Sequence, residues 1–103
     1  MGKAILISAG EMDSYIERYP KTVIIDVRER EEYEESHFRH AVNMPYEEGQ
    51  SWELPRNKEI VVYCNRGITS WKAAKEIAAH GYTVASLSGG IWEYRGRNLV
   101  FSK

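Results

Sequence analysis

The stretch VVYCNRGITSWKAAKEIAAHGY, residues 61–82, reads as a strand, a tight loop and a helix, with the chain's one cysteine at the first junction. Val61, Val62 and Tyr63 are β-formers. Gly67 frees the loop backbone to curl without a Cβ clash. SWKAAKEIAAH is strongly helical, and Gly81 is a natural residue to end it. A thiol between a strand end and a helix start stands where α/β folds place their ligands.

The same alternation runs outward in both directions. Towards the N-terminus, TVIIDV is a nearly continuous apolar run, the mark of a strand covered on both faces. AILIS is a first strand. SAGEMDSYIERY follows as a helix, with Ser8 and Glu11 at capping-box spacing and Met12, Tyr15, Ile16 and Tyr19 on one face. Pro20 ends it. REREEYEES is a short acidic helix whose charges read as a solvated face. AVNMP is a brief strand stopped by Pro45, and residues 46–58 are a loop or a short helix. Towards the C-terminus, TVASL is a last strand and GGIWEYRG a glycine-led turn into a short helix. Short apolar strands alternating with helices predict an α/β domain with a mostly parallel central sheet flanked by helices on both faces. There are no repeats and no linkers, so residues 1–103 are expected to form a single domain.

The totals restrict the function. Net charge is −1, with 43% hydrophobic and 28% charged residues. Bulk attraction to nucleic acid or to a membrane surface is therefore not expected. No apolar run is long enough to span a bilayer, no signal-peptide pattern opens the chain, and one cysteine cannot form an internal disulfide. These points favour a reducing, cytoplasmic setting. Residues 1–55 hold six Lys/Arg against twelve Asp/Glu, and residues 56–103 hold eight against three. If that asymmetry persists in space, the cysteine sits in a field that favours an anionic substrate.

A thiol reacts as its thiolate, and an ordinary thiol is mostly protonated near neutral pH. A helix N-terminus favours the anion by only ~0.3–1 kcal/mol. The loop offers more: inward amides from Asn65 to Ser70, the positive charge of Arg66, and the hydroxyls of Thr69 and Ser70. The same cradle suits an anionic substrate. The alternative is that Cys64 is a small buried hydrophobe. Zinc is not expected with one cysteine and three scattered histidines, and no cofactor is implied. Asp26 and Arg28 read as a structural ion pair near a strand end. His37 reads as a hydrogen-bonded structural residue rather than a general base, and Trp71 and Trp92 as packing or pocket-rim residues.

Three blocks resemble a known family, the single-domain rhodaneses and rhodanese-like sulfurtransferases. DVREREEYEESHFRHAVNMP, residues 26–45, is similar to the family's Asp-Val-Arg block and the His-hydrophobic-X-Gly-Ala-X-Asn-hydrophobic-Pro stretch after it. Asp26, Arg28, Tyr33, His37, Ala41, Asn43 and Pro45 fall in place. Residues 61–82 resemble the active-site strand, loop and helix, and LSGGIWEY, residues 87–94, the closing block.

The resemblance implies a rhodanese-like three-layer fold. It implies a cysteine, Cys64, that takes a sulfane sulfur, becomes a persulfide and passes the sulfur to a thiophilic acceptor such as cyanide or a thiol. The substrate-binding loop would be Asn65, Arg66, Gly67, Ile68, Thr69 and Ser70. It is similar to the Cys-Arg-Lys-Gly-Val-Thr loop of thiosulfate-using members, which points to thiosulfate as donor. Arg66 stands at the family's lysine, Asn65 replaces an arginine, Ser36 and His40 stand where glycine is common, and Tyr94 stands near the usual tryptophan. A persulfide carrier or interaction module in sulfur trafficking is the alternative, with a protein donor or acceptor. A phosphatase or arsenate reductase would resemble Cys-X5-Arg, but Ser70 holds the arginine's place.

Overall fold

The computed structural model describes residues 2–102. The order of elements is β1 (Lys3–Ile7), α1 (Ala9–Glu17), β2 (Thr22–Asp26), α2 (Arg30–Glu35), β3 (Ser36–Phe38), β4 (Val42–Asn43), β5 (Glu59–Tyr63), α3 (Ile68–Ala79), β6 (Thr83–Leu87), a 3-10 turn (Ile91–Glu93) and β7 (Leu99–Phe101). Five strands form a central sheet in the order β1-β6-β5-β2-β4, every pairing parallel. The two remaining strands, β3 and β7, pair antiparallel as a separate ribbon.

Strand periodicity of two divides the core into two layers. On one face Ile7, Ile24, Val61, Tyr63, Ala85 and Leu87 pack against Met12 and Ile16 of α1. On the other, Ile25, Ile60, Val62, Cys64 and Val84 pack against Ala73, Ala74 and Ile77 of α3. Helices therefore cover both faces, as the alternation of apolar runs predicts. The middle strands bury both sets of side chains, which is why β2 and β5 read as unbroken apolar runs.

Local signals behave as their chemistry requires. The Ser8 hydroxyl accepts from the Glu11 amide at 3.2 Å, and the Glu11 carboxylate accepts from the Ser8 amide at 2.8 Å, closing the capping box. Gly81 follows α3 with φ of 94°. Helix α1 ends at Glu17, so Tyr19 lies beyond it and is exposed rather than on its buried face. TVASL is not the last strand, since β7 follows. Residues 46–58 form a loop without a helix. The loop still buries Trp52 against the α3 layer. His40 has φ of 71°, a conformation that favours glycine and strains a residue with a Cβ, and its ring stacks on Tyr19 at 3.8 Å. Ser36 is extended, at φ −165°, and needs no glycine. No helix among the described residues is long and apolar enough to cross a membrane.

Candidate active site

Cys64 is the first residue past β5, with its side chain on the α3 face. Four residues on, α3 begins, and its N-cap is Gly67 at φ 96°. That turn aims two backbone amides at the sulfur: Gly67 N–H at 3.1 Å and Ser70 N–H at 3.2 Å from Sγ. The Ser70 hydroxyl lies 3.5 Å from Sγ and 2.8 Å from the hydroxyl of Ser86 on β6. Ser70 and Ser86 are both fully buried. An anionic sulfur here meets two N–H donors and a hydroxyl whose orientation Ser86 steadies. Hydrogen bonds to a charged partner contribute roughly 1.5–3 kcal/mol each.

The closing turn after β6 holds this loop from beneath. Ile91 N–H donates to the Cys64 carbonyl at 3.0 Å, and Trp92 N–H donates to the Asn65 carbonyl at 3.1 Å. The approach requires glycine: a Cβ on Gly90 would stand 2.2 Å from the Asn65 carbonyl oxygen. Gly90 also has φ of 68°, open to glycine at little cost.

A buried ion pair adjoins the loop. Asp26, at the carboxyl end of β2, receives two bonds from Arg28 Nε at 3.0 and 3.1 Å and one from Nη2 at 2.8 Å. Burial alone would lower the Arg28 pKa, but the bond and charge of Asp26 outweigh it and raise the value. Arg28 Nη1 donates to Asn65 Oδ1 at 3.2 Å, and Asn65 Nδ2 donates to Glu32 at 2.6 Å. Asn65 thus ties the cysteine loop to the ion pair and to α2. His37 is placed elsewhere. Its Nδ1 lies 2.8 Å from the Tyr33 carbonyl and its ring stacks on Tyr33 at 3.9 Å.

Over the sulfur lies an open pocket of about 400 Å³. Cys64, Asn65, Arg66, Ile68 and Thr69 line it from the loop, and Arg28, Glu29, Glu32, Tyr46 and Trp92 from elsewhere. Cys64 is only 6% exposed, so the pocket is its way out. Arg66 is exposed at the rim rather than held against the sulfur. The Tyr46 hydroxyl donates to Glu76, which pushes its pKa up to about 12. Sequence reasoning did not single out Glu29, Glu32, Tyr46 or Ser86 for the site. Only Ser86 carried a local signal, a serine within an apolar strand.

Sheet, amide-lined loop and buried ion pair together define an α/β domain that presents one shielded thiol to a small pocket. The family model for the Rhodanese-like domain matches residues 8–97, and the chain belongs to that family. The tRNA uridine(34) hydroxylase of Pectobacterium atrosepticum is 38% identical over 107 residues, covering 82% of this chain and 30% of its own. A tRNA sulfurtransferase of Desulfurococcus amylolyticus is 36% identical over 74 residues, covering 72% of this chain and 15% of its own. Among solved structures, a rhodanese-related protein from Thermoplasma volcanium superposes with a TM-score of 0.78 at 26% identity, covering 95% of this chain and 99% of that one. The chain therefore spans less than a third of the length of these two curated relatives.

Proposed function

We propose that this domain is a sulfurtransferase that carries a sulfane sulfur on Cys64. The Cys64 thiolate attacks the outer sulfur of a donor such as thiosulfate. The donor's S–S bond breaks, sulfite leaves with the electron pair, and Cys64 is left as a persulfide. A thiophilic acceptor, cyanide or a thiolate, then takes the terminal sulfur and restores the thiolate. The observation that carries this reading is the set of polar groups on Sγ, two amide donors and a buried hydroxyl within reach, beneath a pocket that admits a small molecule. Such a set suits a sulfur that is anionic before and after transfer. Ser70 fills the place where a phosphatase loop would need an arginine, and its hydroxyl is already committed to Sγ and Ser86.

A persulfide carrier is the second reading. It draws on coverage: relatives named for tRNA chemistry contain this domain as 30% and 15% of their length. In that case the sulfur would be handed on within a larger protein or assembly. Intact mass after incubation with thiosulfate tests the shared step. A gain of one sulfur atom, reversed by dithiothreitol and absent in Cys64→Ser, is expected. Full turnover in Cys64→Ser overturns both readings.

A further inference from the structure

A second and larger cavity, of about 1000 Å³, lies at the other end of the sheet from Cys64. It opens beside Lys21, Lys58 and Thr83, at the amino ends of β2, β5 and β6. Ile60 stands on its wall, and the four strand steps from Ile60 to Cys64 span about 13 Å, so the two openings are separate. In a chain of net charge −1, four cations line this one cavity: Arg18, Lys21, Arg56 and Lys58. The carboxylate on its lining, Glu59, is already paired with Arg18 at 2.8 Å. Lys21 and Lys58 stand one residue before the register partners Thr22 and Glu59, and the Glu59 amide donates to the Lys21 carbonyl at 3.1 Å. The two lysines are therefore neighbours, and among the described residues neither has an ion-pair partner. Adjacent ammoniums repel, and an anion between them relieves the repulsion. Beside the cations, Ile5, Ile60, Val84 and Ala85 form an apolar wall. The Arg56 guanidinium sits over the Tyr82 ring at 3.8 Å and donates to the His80 carbonyl at 3.1 Å. Tyr82 is itself fixed, because its hydroxyl bonds both the amide and the carbonyl of Leu54. A guanidinium held on one ring offers its other side to a second. An inorganic anion would satisfy the lysines and leave the wall wet, whereas an apolar molecule would leave the lysines unmatched.

We propose that this cavity binds a phosphomonoester joined to a flat aromatic ring, the chemistry of a nucleoside monophosphate. The phosphate is mostly dianionic near neutral pH and is held between Lys21 and Lys58, whose two charges it matches. The ring lies along the apolar wall beneath Arg56, so that the guanidinium is layered between it and Tyr82. A phosphodiester within a nucleic-acid strand carries a single charge and matches the pair of lysines less well. Binding here needs neither the thiol nor the persulfide of Cys64, so the site is independent of sulfur transfer.

The test is isothermal titration calorimetry with four probes: AMP, adenosine, inorganic phosphate, and a short single-stranded oligonucleotide without a terminal phosphate. AMP should bind more tightly than each of the others. Lys21→Gln and Lys58→Gln should each weaken AMP by about three- to tenfold at low salt, and by less at high salt, while leaving adenosine unchanged. Arg56→Gln should weaken AMP and adenosine alike. Cys64→Ser should bind AMP as wild type does, and amide shifts during an AMP titration should appear at Lys21, Lys58 and Gly81 rather than in the loop of residues 65–70. The proposal is overturned by no binding of AMP, by phosphate or the oligonucleotide binding as tightly as AMP, by unchanged affinity in both lysine variants, or by loss of binding in Cys64→Ser. Sulfur transfer at Cys64 stands in each of these cases.

Discussion

The Tyr63 hydroxyl donates to the Asp26 carboxylate at 2.8 Å, across the two central strands where these residues are register partners. On its other side the same oxygen accepts the Phe38 amide at 3.0 Å. One buried phenol thus joins β5, the ion pair and the β3–β7 ribbon. Burial, and after it the charge of Asp26, push the Tyr63 pKa far above the ordinary value of 10.0.

Tyr63→Phe should destabilise the fold by about 1–3 kcal/mol, because the Phe38 amide and an Asp26 oxygen lose a partner within the core. Urea denaturation measures this. The variant also has a pH signature. The folded state keeps the Tyr63 proton above pH 10 while the unfolded state releases it, so this contribution is complete below pH 10 and falls as pH rises further. Wild-type stability should fall more steeply above pH 10 than that of Tyr63→Phe. Parallel curves would show that the phenol titrates alike in both states.

Ser70→Ala removes the hydroxyl from Sγ while leaving the amide in place. Persulfide formation should slow by about ten- to a hundredfold, the range for one hydrogen bond to a charged partner. Ser86→Ala should slow it less, since Ser86 acts through Ser70. Rapid-quench mass analysis gives both rates. A larger loss in Ser86→Ala would show that the pair supports packing and not the sulfur.

Arg66→Ala should raise KM for thiosulfate by about fivefold at low salt and less at high salt, a modest figure because the side chain is exposed. Arg66→Lys should lose less, since the charge remains, and Arg66→Glu the most. Steady-state kinetics at two ionic strengths separates these cases. An unchanged KM in Arg66→Ala at both salts would make Arg66 a plain surface residue.

Gly90→Ala should cost about 2–4 kcal/mol and most of the activity, because its Cβ meets the backbone of Asn65 and Arg66. Gly49→Ala is the control. It has a similar φ of 79° but open space around it, so only the backbone cost of about 1–2 kcal/mol applies. Thermal melts and the rate of persulfide formation compare the two. Equal losses would mean that φ alone, and not contact with the loop, matters at Gly90.

Much of the frame was legible. TVIIDV, residues 22–27, and EIVVYC, residues 59–64, read as covered strands, and Ser8 with Glu11 marked the start of α1, because each signal lies within a few consecutive residues. The ribbon of Ser36–Phe38 and Leu99–Phe101 was not legible. Three residues are too few to express a period, and each strand exists only because the other pairs with it. Asp26 and Arg28 were legible as an ion pair near a strand end, but their link to the loop through Asn65 was not.

By itself, the sequence determined that a parallel sheet would carry Cys64 beyond a strand end, at the mouth of a helix and beside Gly67. Local apolar runs, caps and a single glycine suffice for that. Only the tertiary structure decided what surrounds the sulfur. The Ser86 hydroxyl is bonded to that of Ser70, Gly90 packs against the Asn65 carbonyl, and Glu29 and Glu32 line the same pocket as Arg66. The physical reason is the parallel sheet: each strand pair is joined by a crossover, so residues far apart in the chain meet beyond the strand ends. A side chain that acquires its role from such a neighbour carries no mark of it in the residues on either side.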